Sequence, residues 1–177
     1  GLDRLLTLDE VQVSDHMVLT DVTTGRYHIT GTTDHENVWE GQTQGFHVYT
    51  SRNLEKWEKN LAWTPPEGSE WNQRAWGAVI LPWHKQFVML GAVYSAERNH
   101  HGILSMLADT PEGPYVLRSG EPLMKGIDPA FVRDADGTPW LVVGGREAIV
   151  VAPLTEDMMQ ITAPEITLLH ASEVPGA

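Results

Sequence analysis

The chain contains no cysteine. That excludes disulfides, thiolate metal sites and a cysteine nucleophile. No apolar run approaches the roughly 18 uncharged residues of a membrane-spanning helix; the longest strings, such as Phe87 to Val93, are strand-sized, and no membrane partner is expected. Basic residues are scarce, 12 against 24 acidic, for a net charge of −12. Such a surface repels phosphate backbones, so no nucleic acid partner is expected either. There is no Gly-x-Ser-x-Gly elbow and no glycine-rich phosphate loop. No histidine pair has the i, i+2 or i, i+4 spacing with a third acid that would hold a metal, so neither a metal nor a cofactor is expected. The opening Gly1-Leu2-Asp3-Arg4 has no basic segment followed by an apolar one. This leaves the compartment open, with an exported location favoured over the cytoplasm.

What remains is an ordinary globular profile, 41% hydrophobic and 20% charged, patterned for strands. Segments of five to eight residues rich in Val, Ile, Tyr, Trp and Thr recur between Gly, Pro, Asp and Asn. No segment carries a capped helical stripe. The fold class is all-β.

An internal repeat organises these strands. Asp15 to Asp21 leads into a turn at Thr24-Gly25 and then the strand Arg26 to Gly31. Asp128 to Asp134 leads into Asp136-Gly137 and then the strand Thr138 to Gly144. A third copy lies between them: Ala75 to Ile80, the turn Trp83-His84-Lys85, and Gln86 to Gly91, with Trp76 standing where an acid opens the other two. Each hairpin is followed by another strand and a polar turn. The units approximate residues 10–65, 66–120 and 121–177, the size of four-stranded propeller blades. Three blades cannot close a ring, so the chain is read as one partial β-propeller domain whose open edges invite self-association.

The innermost strand of a propeller blade lines the central axis. The repeat therefore places Asp15 and Asp128 at one height around a common hollow, the raw material for acid–base work on a glycosidic bond. The plainer alternative is that each Asp begins a strand and bonds local backbone N–H groups. Asp21, Asp134 and Asp136 are read as turn residues. Trp57, Trp63, Trp71 and Trp140 are read as packing. Trp76 divides equally between packing and a platform for a sugar C–H face. Trp39, in the polar stretch Thr32 to Gln44, is a candidate rim contact. His16 and His47 are candidate donors into the hollow, whereas His84, His100 and His101 are placed on surface loops. The partner expected of such a hollow is a carbohydrate.

Four motifs, in register from about Val13 to Asp157, resemble glycoside hydrolase family 43. They are Gly25-Arg-Tyr-His-Ile-Thr-Gly-Thr32, Gly45-Phe-His-Val-Tyr-Thr-Ser-Arg-Asn-Leu-Glu-Lys-Trp57, Ala108-Asp-Thr-Pro-Glu-Gly-Pro-Tyr115 and Ile127-Asp-Pro-Ala-Phe-Val-Arg-Asp-Ala-Asp-Gly-Thr-Pro-Trp140. The resemblance implies a five-bladed β-propeller, of which about three blades are present, and inverting hydrolysis of arabinosyl or xylosyl linkages. It implies Asp15 as general base and Asp128 as the residue that orients the general acid and raises its pKa. Three departures stand out. The family's acid is a fourth-blade Glu followed by Gly and Pro; Glu165 and Glu173 are the last carboxylates of that type, and neither has this context. The family's second-blade Trp-Ala-Pro-Glu reads Trp76-Gly77-Ala78-Val79. His16 stands where Pro commonly follows the base. Two alternatives follow: a carbohydrate-binding propeller that has lost the acid, and a member of the related fructan-processing families, which the Ser51-to-Leu54 and Ile127-to-Pro129 motifs fit less well.

Overall fold

The computed structural model describes residues 4–145 and 147–174; the chain's first three residues and its end, Pro175 to Ala177, lie outside that range. Among the described residues there is no α-helix, only three short 3-10 turns and thirteen strands. The strands form three antiparallel sheets. The first comprises β1 (Leu6–Thr7), β2 (Ser14–Asp21), β3 (Arg26–Thr32), β4 (Phe46–Ser51) and β5 (Lys56–Trp63), in the order β1-β5-β4-β3-β2. The second is β6 (Trp71–Trp83), β7 (Gln86–Ser95), β8 (His100–Ala108) and β9 (Val116–Leu117), in chain order. The third is β10 (Ile127–Arg133), β11 (Pro139–Gly144), β12 (Ala148–Pro153) and β13 (Ile166–His170), also in chain order. These are three blades of a five-bladed β-propeller.

The side-chain alternation of a strand explains why the blades stack. Strand β7 is apolar on both faces. Val88, Leu90 and Ala92 join Leu141 and Val143 in one core, between the second and third sheets. Met89 and Val93 join Phe46, Trp63 and Trp71 in the other, between the first and second. A sheet packed on both faces reads as a continuous apolar run, which is why Phe87 to Val93 shows no polar alternation. Gly91 belongs to this packing: a Cβ there would stand 2.5 Å from the Phe46 ring, so only glycine lets the first blade press this closely on the second.

The turns follow local chemistry. Asp21 Oδ1 accepts from the Thr23 backbone N–H at 2.9 Å, and Gly25 closes the hairpin at φ 66°. Asp134 Oδ1 accepts from Asp136 N–H at 3.1 Å, and Asp136 Oδ1 from Thr138 N–H at 2.8 Å. All three aspartates are thus spent on Asx-type turns. Trp57, Trp63 and Trp71 are buried. Trp140 is only half-buried, and its indole N–H donates to Asp134 Oδ2 at 3.0 Å, so it braces a turn as much as it packs.

Candidate active site

The first strands of the three sheets, β2, β6 and β10, lie side by side, β6 touching β2 on one flank and β10 on the other. Each carries the same irregularity. The β2–β3 register shifts between Ser14 and Met17, and the β10–β11 register between Ile127 and Ala130. In the second sheet the β6–β7 register shifts between Trp76 and Val79. The residue that follows the last regular pair before each shift has left-handed backbone: Asp15 at φ 49°, Gly77 at φ 57° and Asp128 at φ 51°. Such bulges recur next to active sites because they re-aim a side chain. A non-glycine residue held there costs about 1–2 kcal/mol, least unfavourably for Asp or Asn.

This register corrects the sequence alignment of the second blade. The position equivalent to the two acids is Gly77, not Trp76, which pairs with Ala92 one residue earlier. The second hairpin closes through the two-residue His84-Lys85 turn, tighter than the turns of the other two, and aligning on the turns slips the register by one. Counting back from the strand ends finds it: Gly77 to Trp83 is the same span as Asp15 to Asp21.

The three bulges meet. Gly77 N–H donates to Thr32 Oγ1 at 2.9 Å, and the Thr32 hydroxyl donates onward to Asp15 Oδ2 across a long 3.4 Å. A Cβ on Gly77 would stand 3.0 Å from Asp128 Oδ1. The negative charge of Asp15 is felt at Asp128. Although Asp128 is open to solvent on one side, the protein packed around its carboxyl raises its pKa, and the Asp15 charge raises it further. Thr32, buried at 2% exposure, is the joint between the acids. Nothing in the sequence singled it out; its signal is its position opposite the bulge, paired with Ser14.

Beside the acids an aromatic wall rises. Trp76 stacks on His101 with ring centroids 4.2 Å apart and meets Trp39 edge-on at 5.4 Å. Its indole N–H donates to the Val38 carbonyl at 2.7 Å. The loop bearing Val38 and Trp39 is anchored by Asp34, whose Oδ2 accepts from the Thr43 hydroxyl at 2.8 Å and the Gln44 N–H at 2.6 Å. Thr43 N–H in turn donates to the Asn72 carbonyl at the start of β6. The first blade thus lays Trp39, 72% exposed, over the second blade's Trp76. A cleft of about 500 Å³ runs from Trp76, His101 and Tyr94 to Ile127 and Gly144. Gly144 walls both places: a Cβ there would stand 3.7 Å from Asp128 Oδ2.

The histidines divide differently from the sequence reading. His101 and His100 belong to β8 and are part-buried rather than on a loop. His101 Nε2–H donates to the Arg74 carbonyl at 3.1 Å, and burial holds its pKa down at about 4, so the ring is neutral near pH 7. His47 is buried in β4 with Nδ1 unpartnered, and burial first, then the Lys59 charge, lowers its pKa to about 4. The third strand β3 separates it from β2, which removes it as a donor beside Asp15. His16 is exposed, next to Asp15; His84 is exposed in its turn. Glu165 and Glu173 flank β13, at the opposite edge of the third sheet from β10, and Glu173 Oε2 is occupied by His170 N–H at 2.7 Å.

The model of the family described as Glycosyl hydrolases family 43 matches residues 10–176. A β-D-galactofuranosidase of Aspergillus niger is 34% identical over 82 residues, 42% of this chain and 24% of that protein. Among solved structures, the endo-arabinase of Bacteroides thetaiotaomicron superposes with TM-score 0.82 at 18% identity, over 98% of this chain and 61% of that one. A Xanthomonas citri enzyme complexed with xylotriose superposes with TM-score 0.69 at 18% identity, over 92% of this chain and 57% of that one. At such identities the structural likeness is one of fold. The chain spans roughly three fifths of these solved enzymes.

Proposed function

The chain belongs to glycoside hydrolase family 43, and on that premise we propose that it forms the base-bearing part of an inverting glycosidase acting on arabinosyl or xylosyl linkages. Asp15 is the general base: it takes a proton from water as the water oxygen bonds to the anomeric carbon. The glycosidic bond breaks on the opposite face, and its oxygen receives a proton from a general acid. Asp128 orients that acid, and its charge disfavours the acid's ionisation, keeping it protonated near neutral pH. Inversion needs the base and acid about 6.5–9.5 Å apart, with water between. Among the described residues no Glu joins Asp15 and Asp128; in this reading the acid is a Glu contributed by a further blade of the propeller. Trp76 and Trp39 offer aromatic faces to the sugar, with His16 at the edge beside the base.

The observation that carries this reading is the repeated left-handed bulge. Two blades spend backbone strain to aim a carboxylate at the same junction, which strand initiation alone does not require. Because the second-blade position is Gly77, the second blade brings no third acid to this junction, and Asp128 packs against the glycine instead.

The test uses the full-length protein with aryl α-L-arabinofuranosides, β-D-xylosides and β-D-galactofuranosides. Asp15→Asn lowers kcat about 10²–10⁴-fold while calorimetric binding of xylotriose is largely kept, and NMR of the first-formed sugar shows the inverted anomer. Unchanged turnover in Asp15→Asn, or retained configuration, would overturn the assignment. Binding of xylotriose by a wild-type protein that hydrolyses none of the panel would leave the carbohydrate-binding reading in its place.

A further inference from the structure

The cleft beside Asp128 is chemically unlike the rest of the molecule. In a chain of net charge −12, no Asp or Glu among the described residues lines it, whereas Arg74, Lys125 and two histidines do. The Arg74 guanidinium lies over the Tyr94 ring, 4.3 Å from its centroid. Its Nε is buried without a hydrogen-bond partner. Among the described residues it makes no ion pair, although Arg26, Arg98 and Arg133 each meet a carboxylate. An arginine is always charged, and a donor left unpaired in a dry site costs free energy. The backbone adds to that cost, since Arg74 sits at φ 45°. The Tyr94 hydroxyl donates to Asn99 Oδ1 at 2.6 Å and His101 donates to the Arg74 carbonyl, so the ring under the guanidinium and the backbone behind it are both held.

A preorganised cation with free donors, on an aromatic floor and sharing the Gly144 wall with Asp128, is built to receive an anion carried by something that already occupies the acid site. We infer that this cleft is a subsite for the carboxylate of a uronic acid residue borne by the carbohydrate substrate, with Arg74 and Lys125 as its cationic contacts. The inference rests on the hydrolase reading for its location, since Asp128 marks where the neighbouring sugar lies. A carboxylate fits the planar donor fork of arginine in two parallel hydrogen bonds.

The experiment compares, on the full-length protein, kcat/KM for xylotriose, for xylotriose bearing a glucuronic acid branch, and for the same branch as its methyl ester. The acidic branch is favoured over the ester about 10–100-fold, the range of one desolvated charge-assisted hydrogen bond, and added salt shrinks the preference. Arg74→Met and Lys125→Met each reduce it. Lys125 is exposed, so the second variant keeps the test when the first fails to fold. Equal use of acid and ester by the wild-type protein, or an acid-to-ester ratio unchanged in Lys125→Met, overturns the inference while leaving the hydrolase standing. If no substrate is turned over, the hydrolase reading has failed and titration decides the subsite separately. D-glucuronate bound at least tenfold more weakly by Lys125→Met supports it; binding no tighter than that of D-xylose or sulfate overturns it.

Discussion

Replacing Gly77 by alanine tests the central geometric claim, that this glycine is the second blade's counterpart of Asp15 and Asp128. The backbone there is at φ 57°, where a Cβ costs about 1–2 kcal/mol. Stiffening the unfolded chain returns about 0.4–1 kcal/mol of that. The new methyl carbon would stand 3.0 Å from Asp128 Oδ1 and 3.5 Å from Asp128 Cα. The first contact is relieved by turning the carboxyl a few tenths of an ångström, so its cost falls on function rather than on folding. Net destabilisation is therefore about 1 kcal/mol. Urea unfolding followed by tryptophan fluorescence reads it as a lower midpoint with an unchanged slope. In the full-length enzyme the displaced carboxyl lowers kcat/KM about tenfold, since misplacement by a full ångström costs on the order of 10²-fold. Gly77→Ala with both stability and turnover at wild-type levels would refute the equivalence of the three bulges.

Other perturbations have equally definite signs. The folded-state pKa of Asp128 is raised by burial and by Asp15, so its ionised form opposes folding at neutral pH. Asp128→Asn is then more stable than wild type at pH 7, and the gap closes as pH falls through the folded pKa toward the unfolded one; denaturant titrations at several pH values check this, and a gap that opens on acidification contradicts it. His101 and His47 have folded pKa values of about 4, below the usual 6.5. The unfolded chain therefore binds their protons first, and stability is lost as pH falls from about 6.5 toward about 4; His101→Gln flattens that limb of the thermal-melting profile. At Gly45, φ is 120° and a Cβ would stand 1.8 Å from the Trp63 carbonyl oxygen, whereas at Gly25, φ 66°, it would meet nothing within 4 Å. Gly45→Ala costs more than about 2 kcal/mol or prevents folding, and Gly25→Ala costs about 1 kcal/mol; thermal melts that rank the two in reverse would sink the packing argument.

Much of the site was legible from repetition. Asp15 and Asp128 opened matching segments, and in the structure matching bulges bring them to one junction through Thr32 and Gly77. The second blade was misread by one residue because a turn length carries no register by itself; register is fixed by which backbone groups pair, and a tighter turn moves it without altering the hydrophobic pattern. His100-His101 reads as polar punctuation between strands. Only the fold shows that His101 finds the face of Trp76, a contact between residues 25 positions apart in the chain. Thr32 was invisible for a related reason: one threonine among many in a β-rich chain is distinguished by its neighbours, not by its type.

Composition and alternation were enough to make the chain all-β, to exclude thiol chemistry from it, and to mark two aspartates by their place in a repeat, because strand period, turn chemistry and residue content are properties of local sequence. The stacking of the blades decided the rest. Whether Trp39 covers Trp76, whether Arg74 finds a carboxylate, and whether Asp15 raises the pKa of Asp128 all depend on distances between segments that the chain joins only through long detours. Burial and Coulomb energy follow distance in space, so these properties exist only once the sheets have packed.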